Sequence, residues 1–437
     1  MSQFLYKTIE EDGNGDYTTL EACLNANEQN LTGHGWFDIA ICGTDLGGGG
    51  WDSPDTTNVV LHNYTTTSAD YINIYTTESA RHNGVVAAIS GLKTYRLSGR
   101  SVSITCHNVT LNGLEIGNLT GAYARLIYSK GNNNTFKNNI IHSLDLSRLT
   151  SFHTGLYLDL VGGETVYVYN NIIYDIRGLY YNTSDAIYFP YHLGTSNVRL
   201  FNNTIADIDR YGIWADDDNG TNLYMINNIL QGGGTNLYIG ANIVKSDVRN
   251  NIVQSSIANG LIGATWATGA ADNDALNHLI DSDANFGSVQ IGSIVRNTTD
   301  GLTGYVTAVT PADITLNADI FPDGNENYII YKNMYGAVLF VNEAGNNWHI
   351  SPADTVAIDK AVNLSAYFTD DIDGETRPTG SLPWDCGADE YVPPANNYPV
   401  NLLKKGFISG YHCFMSNYIS AKIVELTPLK LPDGSVF

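Results

Sequence analysis

Val166-Tyr-Val-Tyr-Asn-Asn-Ile-Ile-Tyr174 decides the fold, because it recurs. Thr135-Phe-Lys-Asn-Asn-Ile-Ile-His142, Val198-Arg-Leu-Phe-Asn-Asn-Thr-Ile-Ala206, Leu223-Tyr-Met-Ile-Asn-Asn-Ile-Leu-Gln231 and Val248-Arg-Asn-Asn-Ile-Val-Gln254 carry the same asparagine pair, followed by apolar residues. Val109-Thr-Leu-Asn-Gly-Leu-Glu-Ile116 joins the series if Gly113 takes the place of the first asparagine. The anchors Gly113, Asn138, Asn170, Asn202, Asn227 and Asn250 lie 25, 32, 32, 25 and 23 residues apart. Ahead of the anchors apolar residues alternate, as in Val166/Val168 and Val198/Leu200. A period of two is that of a strand. Asparagine tolerates the left-handed backbone of a tight turn, and its amide can bond the next asparagine in a stack. Variable repeats with several short strands predict a parallel β-solenoid whose coils stack about 4.8 Å apart.

A second strand recurs in each repeat. Gly155-Leu-Tyr-Leu-Asp159, Ala186-Ile-Tyr-Phe-Pro190, Gly212-Ile-Trp-Ala-Asp216 and Asn236-Leu-Tyr-Ile-Gly240 align without gaps. Their second and fourth positions are apolar and are expected to point inward. Tyr157, Tyr188, Trp214 and Tyr238 then point outward in one column, since alternate side chains leave opposite faces of a strand.

Composition supports a folded chain of strands and tight turns. Of 437 residues, 47 are Asn, 43 Gly and 28 Tyr, with aromatics at 11%. Disordered chains lack aromatics. Asp+Glu 45 against Lys+Arg 22 gives a net charge of −23, which repels nucleic acid and anionic lipid. No run of 18 apolar residues is present, so no membrane insertion by a helix is expected. Cys23, Cys42, Cys106, Cys386 and Cys413 are odd in number and show no CxxC, so neither a disulfide framework nor a zinc site is expected. Residues Met1 to Lys7 contain no apolar h-region, so synthesis in a cytoplasm is expected, with release to the outside by another route such as lysis.

These repeats, with the opening Gly13-Asn-Gly-Asp-Tyr-Thr-Thr-Leu-Glu-Ala-Cys-Leu-Asn-Ala26, resemble right-handed parallel β-helix proteins of the pectin-lyase-like superfamily. The resemblance implies an all-β solenoid with an N-terminal helical cap, and Leu20, Cys23 and Leu24 have the spacing for that helix. Val338 to Asp359, Asp371-Ile-Asp-Gly-Glu-Thr-Arg-Pro378 and Asp385-Cys-Gly-Ala-Asp-Glu-Tyr391 are similar to the last coils of bacterial and bacteriophage β-helix proteins. Between these, the asparagine pattern stops, and strand-like runs such as Val289 to Val309 and Ile314 to Phe321 resemble small β modules of phage structural proteins. The expected organisation is a cap and first coil over 1–50 and the helix over 51–263. An inserted β domain over 264–333, last coils over 334–394 and an extension over 395–437 follow. The extension carries Lys404-Lys405 and the aromatics Tyr411, Phe414 and Tyr418, and is a candidate for attachment.

Candidate chemistry is sparse. A polysaccharide lyase needs a cationic base, and the repeats offer Arg148, Arg177, Arg199, Arg210 and Arg249, with no Lys between Lys137 and Lys245. Asn182-Thr-Ser-Asp-Ala186 is faintly similar to the first catalytic motif of polygalacturonases, but Arg210-Tyr211 stands where their aspartate pair is expected. No Gly-His-Gly follows Arg210-Tyr211, and their Arg-x-Lys motif is absent. Asp185 and Asp216 are offset by roughly 17 Å along the strand, too far for a working pair. Asp159 and Asp216 share an outward column across Pro190, about 9.6 Å apart, at the edge of an inverting glycosidase's separation. Beside them, the four rings form a candidate sugar platform or a structural ladder. Asp12-Gly-Asn-Gly-Asp16 and Asp371-Ile-Asp-Gly374 are partial calcium loops that also read as plain turns; no other metal or cofactor is expected.

The missing h-region, the resemblance of the inserted domain to phage modules and the extension beyond the last coils point first to a bacteriophage virion component: a spike, fibre or decoration protein expected to contact host glycan, self-associate (trimers being common among spikes) and bind other virion proteins. The alternatives are a polysaccharide-degrading glycosidase using Asp159 and Asp216, and a bacterial surface adhesin.

Overall fold

The computed structural model describes residues 5–393, apart from 28–29, 34, 48, 120–123, 145–152, 161, 164, 178–183, 191–194, 217–219, 235–236 and 273. The extension at 395–437 lies outside the described residues.

Each complete coil contributes one strand to each of three sheets. Thr165–Tyr169 enters the first, Ile172–Ile176 the second and Ser184–Phe189 the third, after which Asn197–Phe201 returns to the first. All pairing between coils is parallel: Val166 opposes Val198, Ile173 opposes Ile205 and Ile187 opposes Ile213. The first sheet runs from Leu5–Ile9 to Val244–Arg249, the third from Val59–Leu61 to Leu237–Ile239. Inward residues of the three sheets, such as Val168, Ile173 and Ile187, are buried in one continuous apolar core. The chain is a parallel β-helix. At its start, Leu20–Ala26 is a helix that Thr19 caps through Ala22 N–H, and Leu20, Cys23 and Leu24 enter the same core.

The two asparagines of each pair divide their labour. All six anchors, Gly113, Asn138, Asn170, Asn202, Asn227 and Asn250, have φ between +48° and +81°. That is the left-handed region, which costs Gly nothing and Asn little. The second asparagine turns inward. Asn171 Oδ1 accepts the backbone N–H of Asn139 at 3.0 Å, and Asn171 Nδ2 donates to Phe136 O at 2.9 Å and to Asn203 Oδ1 at 3.0 Å. The scheme repeats through Asn203, Asn228 and Asn251 and ends at Asn333, a rung that the sequence pattern did not include. A second left-handed file, Asn118, Asp175, Asp207 and Gly232, bends the second sheet, and Arg177 bridges Asp175 to Asp207.

Residues 265–335 contain antiparallel strands. Thr265–Ala270 and Ser293–Asn297 flank the long strand Asn327–Tyr335. Leu279, Phe286, Val295, Val306, Ile314 and Phe321 belong to a core separate from that of the helix. The long strand is shared: Met334 and Tyr335 pair parallel with Ile252 and Val253, the second-sheet strand that follows Val244–Arg249.

The expectation of further coils over 334–394 needs correcting. Beyond Tyr335 no described strand joins the helix in parallel. Phe340–Asn342 and Asn347–Ile350 form an antiparallel hairpin, and the following chain runs along the outside of the asparagine turns as a strap. Asn170 donates to Asp370 O at 2.6 Å, Asn202 to Asp385 O at 3.0 Å, Asn227 to Val362 O at 2.8 Å and Asn250 to Lys360 O at 2.9 Å. The physical reason is that the turns are apolar on both faces. Ile173 and Leu230 point into the helix, but Ile172, Ile229, Phe201 and Tyr169 point out and need cover. Val338, Trp348, Phe368, Trp384 and Cys386 of the strap supply it. Arg377, 1% exposed, fastens the strap: it pairs with Glu390 at 2.7 Å and donates to Asn170 Oδ1, Gly387 O and Ala388 O.

Two predictions follow from these contacts. Asn203→Ala strands backbone and amide groups on both neighbouring coils, and about 2–4 kcal/mol of stability should be lost in urea titrations. Asn202→Gly keeps the left-handed turn but loses the strap contacts and the bond that Asn227 Nδ2 donates to Asn202 Oδ1, so it should cost about 1–2 kcal/mol. His82 is buried, with Nε2 3.0 Å from Asn138 O and Nδ1 accepting Gly84 N–H; burial holds its pKa down at about 4. The unfolded chain therefore binds the proton first. Stability should be full above about pH 6.5 and fall as pH drops towards 4, by roughly 2–3 kcal/mol. His82→Gln should flatten that part of the pH curve.

Candidate functional site

The third sheet places its outward rings in one file. Tyr157 opposes Tyr188, Tyr188 opposes Trp214 and Trp214 opposes Tyr238. A fifth ring, Tyr128, opposes Tyr157 one coil earlier. Its segment, Leu126-Ile-Tyr-Ser-Lys130, follows the strand pattern, but Ser129 stands where the other coils have an inward apolar residue, and this hid it. Ring centroids are 5.6, 5.1, 4.3 and 6.3 Å apart from Tyr128 to Tyr238, and Tyr211 leans on Trp214 at 5.8 Å. Tyr238, at the end, is the most open at 41% exposure.

Two guanidinium groups lie on the file. Arg125 sits 3.7 Å from the Tyr157 centroid and 5.2 Å from that of Tyr128. Arg210 sits 3.9 Å from Trp214 and is held by Asp185, a fully buried carboxylate whose pKa burial raises to about 6 against the pull of Arg210. Burial likewise raises the Tyr188 phenol to about 12. Cations over ring faces gain from the ring quadrupole. They also take up faces that a pyranose would stack on. Tyr188 and Arg210 both lie against Trp214, so the file offers ring edges, hydroxyls and the donors of Arg125 rather than open faces. Arg125 makes no hydrogen bond or ion pair with any described residue, which leaves its donors for a ligand or for water. It was not among the cations singled out from the sequence, because it lies ahead of the strand alignment.

The file's register places Asp159 and Asp216 beyond the inward residues Leu158 and Ala215, with Pro190 on the coil between them. Asp159 Oδ2 accepts the Tyr128 hydroxyl at 2.5 Å and lies 3.8 Å from Lys130 Nζ. Those contacts describe a carboxylate that fastens the first rings of the file. Asp216 donates its N–H to Phe189 O at 3.0 Å and acts electrostatically on Tyr188. Asp217 and Asp218 lie outside the described residues.

The two aspartate loops are fasteners as well. Asp12 accepts Gly49 N–H at 2.7 Å, and Asp16 accepts Thr8 N–H at 2.9 Å. Asp371 accepts N–H groups from Asp373, Glu375 and Glu390, which occupies both of its oxygens. Asp373 instead faces His349, which sequence reasoning did not single out. Burial opposes the charge on that imidazole, but Asp373 outweighs it and lifts the pKa to about 9.

No protein-family model matches the chain, and no curated protein matches it. Among solved structures, the tailspike gp61 of Pseudomonas phage phi297 is similar over 68% of this chain and 66% of that one. The identity is 7% and the TM-score 0.13, a likeness too slight to carry an argument.

Trp214 contacts Tyr188, Tyr211 and Arg210, so Trp214→Ala should cost about 1–3 kcal/mol in thermal unfolding. Tyr238→Ala, at the open end, should stay within about 0.5 kcal/mol of the parent.

Proposed function

We propose that this chain is a rigid β-helix component of a bacteriophage particle, a spike, fibre or decoration protein. We propose further that the third-sheet file is its contact surface for host glycan. The observation that carries the glycan reading is Arg125: a guanidinium whose donors meet no acceptor among the described residues, set on a row of five aromatic side chains. Aromatic edges and fixed donors are a common means of holding a sugar chain without enzymatic groups. A stack of parallel strands gives such a row a repeat of about 4.8 Å, fixed by backbone hydrogen bonds. The virion reading is supported by the resemblance of the repeats to pectin-lyase-like β-helices and of residues 264–333 to phage β modules. Self-association, other virion proteins as partners and exposure outside the cell after release belong to this proposal.

Two measurements test it. Purified particles of the source virus should contain the chain by mass spectrometry. Polysaccharide from the host surface should bind the isolated protein, and Arg125→Ala or Tyr188→Ala should weaken binding at least tenfold while thermal unfolding remains cooperative. Equal binding by both variants would remove the file from the reading. Release of new reducing ends, abolished by Asp216→Asn, would transfer the protein to the glycosidases.

A further inference from the structure

The strap brings three metal-ligating side chains from separate segments to one point. His349 lies on the hairpin strand Asn347–Ile350, Asp373 on the turn after Ile372, and Asp389 near the strap's end. One ligand atom from each lies within 4.8 Å of the other two. His349 Nε2 is 2.9 and 3.1 Å from the Asp373 oxygens. His349 Nδ1 is 2.6 Å from Asn347 Oδ1, an acceptor that takes the Nδ1 proton and directs the Nε2 lone pair to the cluster. That relay is how metal-bound histidines are oriented.

A further observation points to a ligand. Asp389 is 5% exposed, and among the described residues Ile350 N–H donates to its Oδ2 at 2.7 Å, which leaves Oδ1 for the cluster. On the helix side stands Gly84, with φ +72°; a Cβ there would come within 2.3 Å of His349 Nε2 and 2.5 Å of Asp373 Oδ1. Only glycine leaves the ligand atoms clear. The nearby Arg81 donates to the carbonyls of Asp371 and Ile372, not to these carboxylates.

We propose that His349, Asp373 and Asp389 bind one divalent ion of the zinc class, which clips the strap together beside the Gly84 loop. One imidazole and two carboxylates suit zinc, cobalt or manganese, with water completing the shell. Calcium takes oxygen ligands and six or more of them, so this is not a calcium loop. The same side chains can also stand as a metal-free imidazolium–carboxylate pair. The two arrangements differ in stoichiometric metal uptake.

The test uses the full chain, stripped with EDTA and titrated with Zn2+ by calorimetry and with Co2+ by visible absorption. One ion per chain is expected, with Co2+ ligand-field bands and a melting temperature that rises on Zn2+ addition and not on Ca2+ addition. His349→Gln and Asp389→Asn should each lose at least tenfold in affinity. No uptake by the folded parent overturns the proposal, and so does unchanged affinity in both variants. The parent titration decides the matter even where a variant fails to fold.

Discussion

The inner asparagine ladder is the interaction on which the rest of the structure depends. A strand that must turn into the next sheet leaves backbone N–H and C=O groups that no neighbouring strand reaches. Left buried, each such group costs about 1–3 kcal/mol. The amide of the second asparagine replaces the missing partners: its oxygen takes the N–H of one coil, and its nitrogen donates to a carbonyl of that coil and to the next amide. Each coil therefore specifies the height and register of the next. The outer asparagine can then be spent on the left-handed turn, because its side chain has no duty inside.

That division creates a second requirement. A turn so tight places apolar residues immediately on both sides of it, and they cannot all face the core. Tyr169, Phe201, Ile172 and Ile229 face out, and the strap buries them. Its hydrogen bonds are made to the outer asparagines, so the same residues that shape the turn also dock the cover. A buried arginine, Arg377, satisfies its donors with strap carbonyls, Glu390 and Asn170, the arrangement that makes a buried charge tolerable.

The outward file on the third sheet shows a different balance. Register alone stacks the rings, since each is opposite its neighbour on a paired strand. What the rings present is decided by the cations beside them. Arg210 is held by buried Asp185 and covers Trp214, while Arg125 covers Tyr157 with its donors unspent among the described residues. Asp159, which the strand pattern made a candidate acid, is held by Tyr128, a ring the pattern passed over. The stacking of Tyr157, Tyr188, Trp214 and Tyr238 could be read from four aligned pentapeptides; the loss of their open faces could not.

Sequence by itself determined the coil. Alternation fixes which residues face inward, and the Asn-Asn pairs fix where each coil turns, because both are properties of contiguous residues. Tertiary structure alone decided what covers the turns, what lies over the rings and which side chains meet at His349. Those contacts join groups as far apart as Asn170 and Asp370, 200 residues along the chain. No periodicity in the sequence links such groups. They meet because the strap is laid back across coils already stacked, and its path follows from the apolar surface that those coils leave exposed.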